Sequence, residues 1–444
     1  MTSIKFINHA SVTISDGQIS LLSDPWYWGT AFHNGWSLIY ENKEEDMLNV
    51  INEITHIWIS HEHPDHFSIP FFKKYASILK NKRIKIFFQE TKDKRVFNFL
   101  HSQGLNVEEL KNKKIYFLSE KFKIKCIKSG FYDSALLLEV DNKTIFNLND
   151  CPINEKKEIE KFRSKYGSCD ILLTQFSYAA WKGGKKNLSW RQQAAADKIT
   201  AVFNQAEILS AKIVLPFASH IRFSNILNSY LNDSVNTPDQ FIKKIKQDKF
   251  KVFFFRPMEK QSLNEIWQDP QSLKFWREKY SAISNQSLIE YEQVESSEKL
   301  EDLYREYRKR IFENNSYWII WLVSKLKIFD CFQKINILVK DMNVTFSINL
   351  LSKNLLVTEE EPHIMMSSQS IKFIFLNSFG FDTLTVNGCF EEVKKGGFLK
   401  ASKILALENL NNLGIFIKPS IIFRVDLFIL YLNLLSKVSK KLKK

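Results

Sequence analysis

His56-Ile57-Trp58-Ile59-Ser60-His61-Glu62-His63-Pro64-Asp65-His66 is the stretch from which the rest of the chain is best read. Its first half is an apolar run short enough to be a buried strand, ending at Ser60. Four candidate ligands follow within the next six residues: His61, His63, Asp65 and His66. Imidazoles two residues apart across a sharp turn can face one cation. Asp65 and His66 fold back toward the same space or toward a second ion. Carboxylate beside imidazole suits zinc or iron, and an ion so held acidifies its water toward neutrality.

Working outward, short apolar runs broken by turns predict strands at Ile4–Ile7, Ser11–Ile14, Ile19–Leu22, Ile84–Phe88, Ile115–Leu118, Phe122–Ile127, Ala135–Val140, Thr144–Leu148, Ile171–Thr174, Ile213–Phe217 and Val252–Phe255. Asp16-Gly17 marks a hairpin between two of them. Helices are expected over Ile69–Leu79, Thr91–His101, Lys156–Tyr166, Gln192–Leu209 and Asp239–Gln247. Such a mixture predicts two sheets flanked by helices, an α/β sandwich. Asp150 and His220 each follow a predicted strand, where loops over a rigid sheet carry functional groups. Beside the His cluster both read as metal ligands, although an isolated Asp after a strand is ordinarily a turn or a helix cap. Asp65 and Asp150 are also the candidates for positioning an attacking species. His9 and Asp24 close the first and third strands and are expected to stand behind the ligands and order them.

The remainder is less explicit. From about 260 to 330 the pattern turns helical and charged, and from about 335 to 415 strand-like runs return, including Ile335–Val339, Thr345–Ile348, Ile371–Phe375 and Thr383–Val386. The expected division is a domain over 1–265, a helical connection over 266–330 and an α+β region over 331–444. That last region ends in the apolar run Ile421–Leu435 and a Lys-rich tail. The five cysteines are widely spaced with no CxxC pair, which argues against a disulfide framework or a structural zinc. A net charge of +14 fits an anionic partner, or equally a solvated surface of lysines set by codon bias. The basic residues are spread along the chain rather than gathered in a stripe, so nucleic acid is not expected as partner.

HxHxDH, together with Asn8-His9-Ala10-Ser11 and Asp24-Pro25-Trp26, resembles the metallo-β-lactamase superfamily. The likeness is closer to the catalytic portion of CMP-N-acetylneuraminate hydroxylase and its bacterial relatives. It rests also on Ala31-Phe32, Gly35-Trp36, Asn149-Asp150-Cys151, Pro216-Phe217-Ala218 and Phe255-Arg256-Pro257. The resemblance covers about residues 5–260 and implies an αββα sandwich, here with a C-terminal helical and mixed α+β extension. Three departures matter. No cysteine has a histidine within two residues, so the hydroxylase's Rieske centre is absent and any oxygenation needs a separate reductase. Ser129–Ser134 holds no histidine where the superfamily usually supplies one. Asn225 stands near where relatives place a late histidine. Fewer than two tightly held ions are therefore expected, zinc or iron, on His61, His63, Asp65, His66, Asp150 and His220, with Asn225 beside them.

These features imply a metal-dependent enzyme acting on an anionic small molecule such as a nucleotide-sugar or another polysaccharide precursor. It would work by hydrolysis or by iron-dependent hydroxylation. The competing readings are a degenerate, non-catalytic binding protein of the same fold and, behind it, a nuclease. Met1–Ile7 runs straight into a strand pattern without an apolar leader, so a cytoplasmic protein is expected. The apolar run Ile421–Leu435 is shorter than the ~20 residues a spanning helix needs, leaving packing within the protein or contact with the inner membrane face.

Overall fold

The strand His56–Ile59 lies near the middle of a seven-stranded sheet in a computed structural model that describes residues 2–291, 294–327 and 330–420. The sheet runs Lys260–Ser262, Ser3–Asn8, Ser11–Ser15, Ser20–Ser23, His56–Ile59, Lys85–Gln89, Asn106–Leu110. Its first part is antiparallel, with Gly17 at φ +97° in the turn between Ser11–Ser15 and Ser20–Ser23. From Ser20–Ser23 onward neighbours are parallel, which requires crossovers. Glu44–Glu53, Ile69–Asn81 and Arg95–Ser102 supply them. The hydroxyl of Ser68 caps the second of these at Phe71 N, with Pro70 in its first turn.

A second seven-stranded sheet runs Lys251–Val252, Ile213–Phe217, Ile171–Gln175, Lys143–Asn149, Asp133–Val140, Phe122–Ser129, Ile115–Phe117. Lys156–Tyr166 and Leu188–Ile208 cross between its parallel members. Alternation explains the layers. Trp58 and Phe87 join Ile4, Phe6, Val12 and Ile14 in one core with Leu136, Leu138, Ile145 and Leu172 of the second sheet. Ile57, Ile59, Ile86 and Phe88, one residue out of phase, meet Phe71, Phe72, Tyr75 and Leu79 of the covering helix. The result is the expected four-layer αββα sandwich.

A small sheet of Ile221–Phe223, Trp36–Leu38 and Thr30–Ala31 stands apart from the two large ones. The chain divides into two units, Met1–Glu290 and Tyr291–Lys444. Helix Pro270–Ser281 belongs to the first, through Trp276, which is fully buried.

The second unit contains a five-stranded sheet of Leu356–Val357, Val344–Ile348, Ile335–Val339, Ile364–Met366 and Phe390–Glu392. Two expected strands are helices instead. Ile371–Phe375 lies in helix Ser368–Leu376, capped by Ser367, with Ile371, Ile374 and Phe375 on its buried face. Thr383–Val386 lies in helix Gly380–Asn387, ended by Gly388 in the left-handed conformation at φ +67°. Apolar runs of four or five residues fit either state, and the serine cap and terminal glycine decide it here. At Gly380 an added Cβ would stand 2.5 Å from Ile374 Cα, so glycine lets the two helices meet. Ile421–Leu435 and the Lys tail lie outside the described residues.

Candidate metal centre

Most of the strands that matter deliver their chemistry at their C-terminal ends. His9 follows Ser3–Asn8, Asp24 follows Ser20–Ser23, His61 comes two residues after His56–Ile59, and Asp150 follows Lys143–Asn149. His9, Asp24 and Asn149 take φ of 37°, 37° and 40°, a left-handed backbone that His, Asp and Asn enter more readily than other non-glycine residues. After Ser60, Pro64 begins a turn in which His63 O accepts from His66 N at 3.0 Å and Phe67 N at 2.7 Å. That turn folds Asp65 and His66 back under His61 and His63.

Two groups result. His61, His63 and Asp150 present donor atoms within 4.8 Å of one another, as do His9, Asp65 and His66. His61 Nε2 lies 2.9 Å from His63 Nδ1 and 3.8 Å from Asp150 Oδ2. Asp65 Oδ2 lies 3.2 Å from His9 Nε2 and 3.4 Å from His66 Nε2. Asp150 Oδ2 also stands 3.5 Å from His66 Nε2, so one carboxylate faces both groups. The second group is buried throughout, while His63 and Asp150 are half-buried and open the first group toward solvent.

Asp24 orders the imidazoles. Its Oδ2 accepts from His66 Nδ1 at 2.9 Å and from Ser60 Oγ at 2.8 Å. Because the Ser60 proton goes to Asp24, Ser60 Oγ accepts from His61 Nδ1 at 2.9 Å. Both rings are thereby left with Nε2 turned into the site, the arrangement in which a carboxylate behind a histidine fixes its tautomer for a metal.

The electrostatics fit a cation. Burial opposes charge on His66, yet Asp65, Asp150 and Asp24 outweigh it and push its imidazole well above the ordinary range. Burial likewise opposes ionisation of Asp65 and Asp150, but the neighbouring histidines hold both carboxyls below the usual carboxylate range. Burial pushes His61 and His9 down, which keeps their rings available as ligands. Asp65 Oδ1, Asp150 Oδ1, His9 Nδ1 and His66 Nε2 are buried without a hydrogen-bond partner among the described residues. Buried polar atoms rarely go unpaired, and such orphans beside the carboxylates of Asp65 and Asp150 fit one or two metal ions.

Other expected residues fall elsewhere. His220 is not with either group: its ring stacks on Trp276 at 3.8 Å and 11°, surrounded by Phe6, Phe176 and Phe254. Asn225 uses its Oδ1 to accept from Leu227 N at 3.0 Å, ordering its own loop. Glu62 pairs outward with Arg95 at 3.0 Å. His9 stands inside a group rather than behind it. One residue was not anticipated: Asp133, whose Oδ1 lies 3.8 Å from His61 Nε2. Burial and the Asp150 charge push its carboxyl up to about 7. It begins strand Asp133–Val140, and that strand's antiparallel pairing with Lys143–Asn149 brings its start to the edge where its neighbour ends.

No protein-family model matches the chain. Among curated proteins it is similar to cytidine monophosphate-N-acetylneuraminic acid hydroxylase from Danio rerio, 24% identical over 275 residues, 57% of this chain and 44% of that protein. The Macaca mulatta protein of the same name is 24% identical over 290 residues, 61% of this chain and 48% of that protein. The chain thus spans about half the length of the curated relatives it matches. Among solved structures it is similar to CmlA, a diiron β-hydroxylase from Streptomyces venezuelae, with a TM-score of 0.41 and 10% identity over 59% of this chain and 54% of that one. It is also similar to YhfI, a metallo-β-lactamase fold protein from Bacillus subtilis, with a TM-score of 0.40 and 11% identity over 59% of this chain and 98% of that one. The layer order and the His cluster at the strand edge make residues 2–290 a metallo-β-lactamase fold.

Proposed function

We propose that the chain is a two-metal enzyme that hydrolyses an anionic small molecule, with a nucleotide-sugar or another polysaccharide precursor as the substrate class. The observation that carries this reading is Asp150, whose carboxylate faces both donor groups at the open edge of the sandwich. His61, His63, Asp133 and Asp150 would hold one ion, and His9, Asp65, His66 and Asp150 the other. Ions held there supply Lewis acidity and bring a coordinated water's pKa toward neutrality. The chain's own part is to place them. Asp24 and Ser60 fix the His61 and His66 rings, and the half-buried His63 and Asp150 mark the side from which substrate approaches.

Two lysines favour an anionic substrate. Lys198 of helix Leu188–Ile208 lies near Asp150, Asp133 and Lys182, and burial pushes its ammonium down to about 8 against the pull of those carboxylates. Burial lowers Lys182 as well. Half-buried cations, one of them within electrostatic reach of Asp133 and Asp150, suit a phosphate or carboxylate on the substrate. A second reading, iron-dependent hydroxylation with electrons from a separate reductase, is favoured by the similarity to CMP-N-acetylneuraminic acid hydroxylases.

Turnover of CMP-N-acetylneuraminate and related nucleotide-sugars separates the two. Hydrolysis proceeds without oxygen in zinc-loaded protein, whereas product formation only with iron, oxygen and a reductant establishes the second reading. A folded protein that holds no metal under either condition contradicts both. The described residues contain no helix long and apolar enough to cross a membrane. We further propose a cytoplasmic protein whose run Ile421–Leu435 packs within the protein, with contact of that run and the Lys tail with an anionic membrane surface as the alternative; solubility of the chain lacking residues 421–444 and liposome sedimentation of the intact chain separate the two.

A further inference from the structure

Arg222 is a buried cation with unmade hydrogen bonds. It is the middle residue of strand Ile221–Phe223 and only 8% exposed, yet its Nε and Nη1 find no hydrogen-bond partner among the described residues. Its strand neighbours Ile221 and Phe223 face the opposite way with Leu38 and Trp36, as the register Ile221↔Leu38 and Phe223↔Trp36 requires. Arg222 itself stands opposite Ser37, and Ser37 opposite Thr30, so one face of the three-stranded sheet is a polar row. Ser224 extends that face, because its N donates to Gly35 O at 2.9 Å and continues the ladder beyond Phe223. Its hydroxyl is fully buried and likewise has no partner among the described residues. Glu41 is near enough to favour the charge on Arg222, but burial outweighs it and lowers the guanidinium's pKa. Glu41 is not a hydrogen-bond partner of Arg222 Nε or Nη1; its Oε1 accepts from Gly29 N at 2.8 Å.

A desolvated guanidinium with unmade hydrogen bonds is costly, and a bound anion is one arrangement that would offset the cost. We infer that the Thr30–Ser37–Arg222–Ser224 face is an oxyanion site, taking the carboxylate or phosphate of a small ligand on the Arg222 guanidinium with the Ser224 and Ser37 hydroxyls beside it. The planar N–H array of arginine matches two oxygens of either group, and the small residual exposure of Arg222 is the way in. The site is distinct from the metal ligands. Trp36, which reaches toward them through Phe32 and His63, lies on the opposite face of the small sheet from Arg222. The inference does not rest on the proposed reaction, because it requires neither metal nor turnover.

Thermal unfolding of the full chain at fixed ionic strength, with millimolar inorganic phosphate or acetate replacing chloride, tests it. At least one of the two anions should raise the midpoint of the wild type and of a His61→Ala/His63→Ala variant. Which one does so tells phosphate from carboxylate. Neither should shift Arg222→Met, which without added anion should unfold at the same temperature as wild type or above it, since no charge is then left desolvated. Equal shifts in Arg222→Met and wild type, or no shift in wild type, would overturn the inference. If Arg222→Met does not fold, the Arg222 Nε–H resonance of the wild type decides. Movement with phosphate or acetate supports the site, and a resonance unmoved by both rules it out.

Discussion

Asp24 shows how much of this centre depends on residues that would never touch an ion. It is almost wholly buried and sets the proton positions of His66 directly and of His61 through Ser60. Asp24→Asn keeps the shape but can donate where the carboxylate only accepts, so the His66 tautomer is no longer fixed. Metal affinity should fall by about 10–100-fold with every proposed ligand still present. Competition with a chelator of known affinity measures this, and an unchanged affinity removes Asp24 from the account. Asp133 acts at the same scale. Its carboxyl, pushed up to about 7, is protonated below that pH and ionised above it. Ligation requires the ionised form, so affinity for an ion beside His61 should tighten as pH rises through about 7. In Asp133→Asn that part of the pH dependence should flatten; a parallel pH profile would place Asp133 outside the ligand set.

Between elements, the contact of His220 with Trp276 joins the loop after Ile213–Phe217 to helix Pro270–Ser281. Burial holds the His220 imidazole well below its ordinary range, so the folded protein keeps it neutral. The unfolded chain takes up a proton near pH 6.5. Stability from this group is therefore full above that value and is lost as pH falls below it, by about 1.4 kcal/mol per unit until His220 protonates in the fold. His220→Phe preserves the stacking and should show a smaller loss of unfolding free energy between pH 7 and pH 5 than wild type. An identical loss would mean that His220 is already charged when folded. A histidine after a strand reads alike in sequence whether it faces a metal or a tryptophan, and only Trp276, 56 residues further on, decides between them. Asp133 was illegible for a related reason: attention to strand C-termini finds His9, His61 and Asp150 but passes over a residue that begins an antiparallel strand. The strands around the site were legible because their apolar runs lie between clear turn signals. The helices Ser368–Leu376 and Gly380–Asn387 were not, because their short apolar runs have no period of their own.

For the molecule as a whole, the sandwich could be anticipated from the order of strands and helices, and the centre of the site from one strand and turn of eleven residues, 56–66. The proposed pair of ions goes beyond that reading. Without a histidine in Ser129–Ser134, and with Asn225 far from a ligand's role, the sequence pointed to fewer than two. The fold supplies His9 from the first strand and Asp133 from a neighbouring one. All the proposed ligands lie within residues 9–150, in the first unit, so residues 1–290 alone are expected to carry the metal centre. The most direct measurement is metal content by elemental mass spectrometry on the full chain loaded with zinc or iron and freed of loosely held ions. The account predicts two ions per chain in wild type, and at most one in both His61→Ala/His63→Ala and His9→Ala/Asp65→Ala. A wild type that holds no ion while remaining folded, or variants that keep the wild-type stoichiometry, would contradict it.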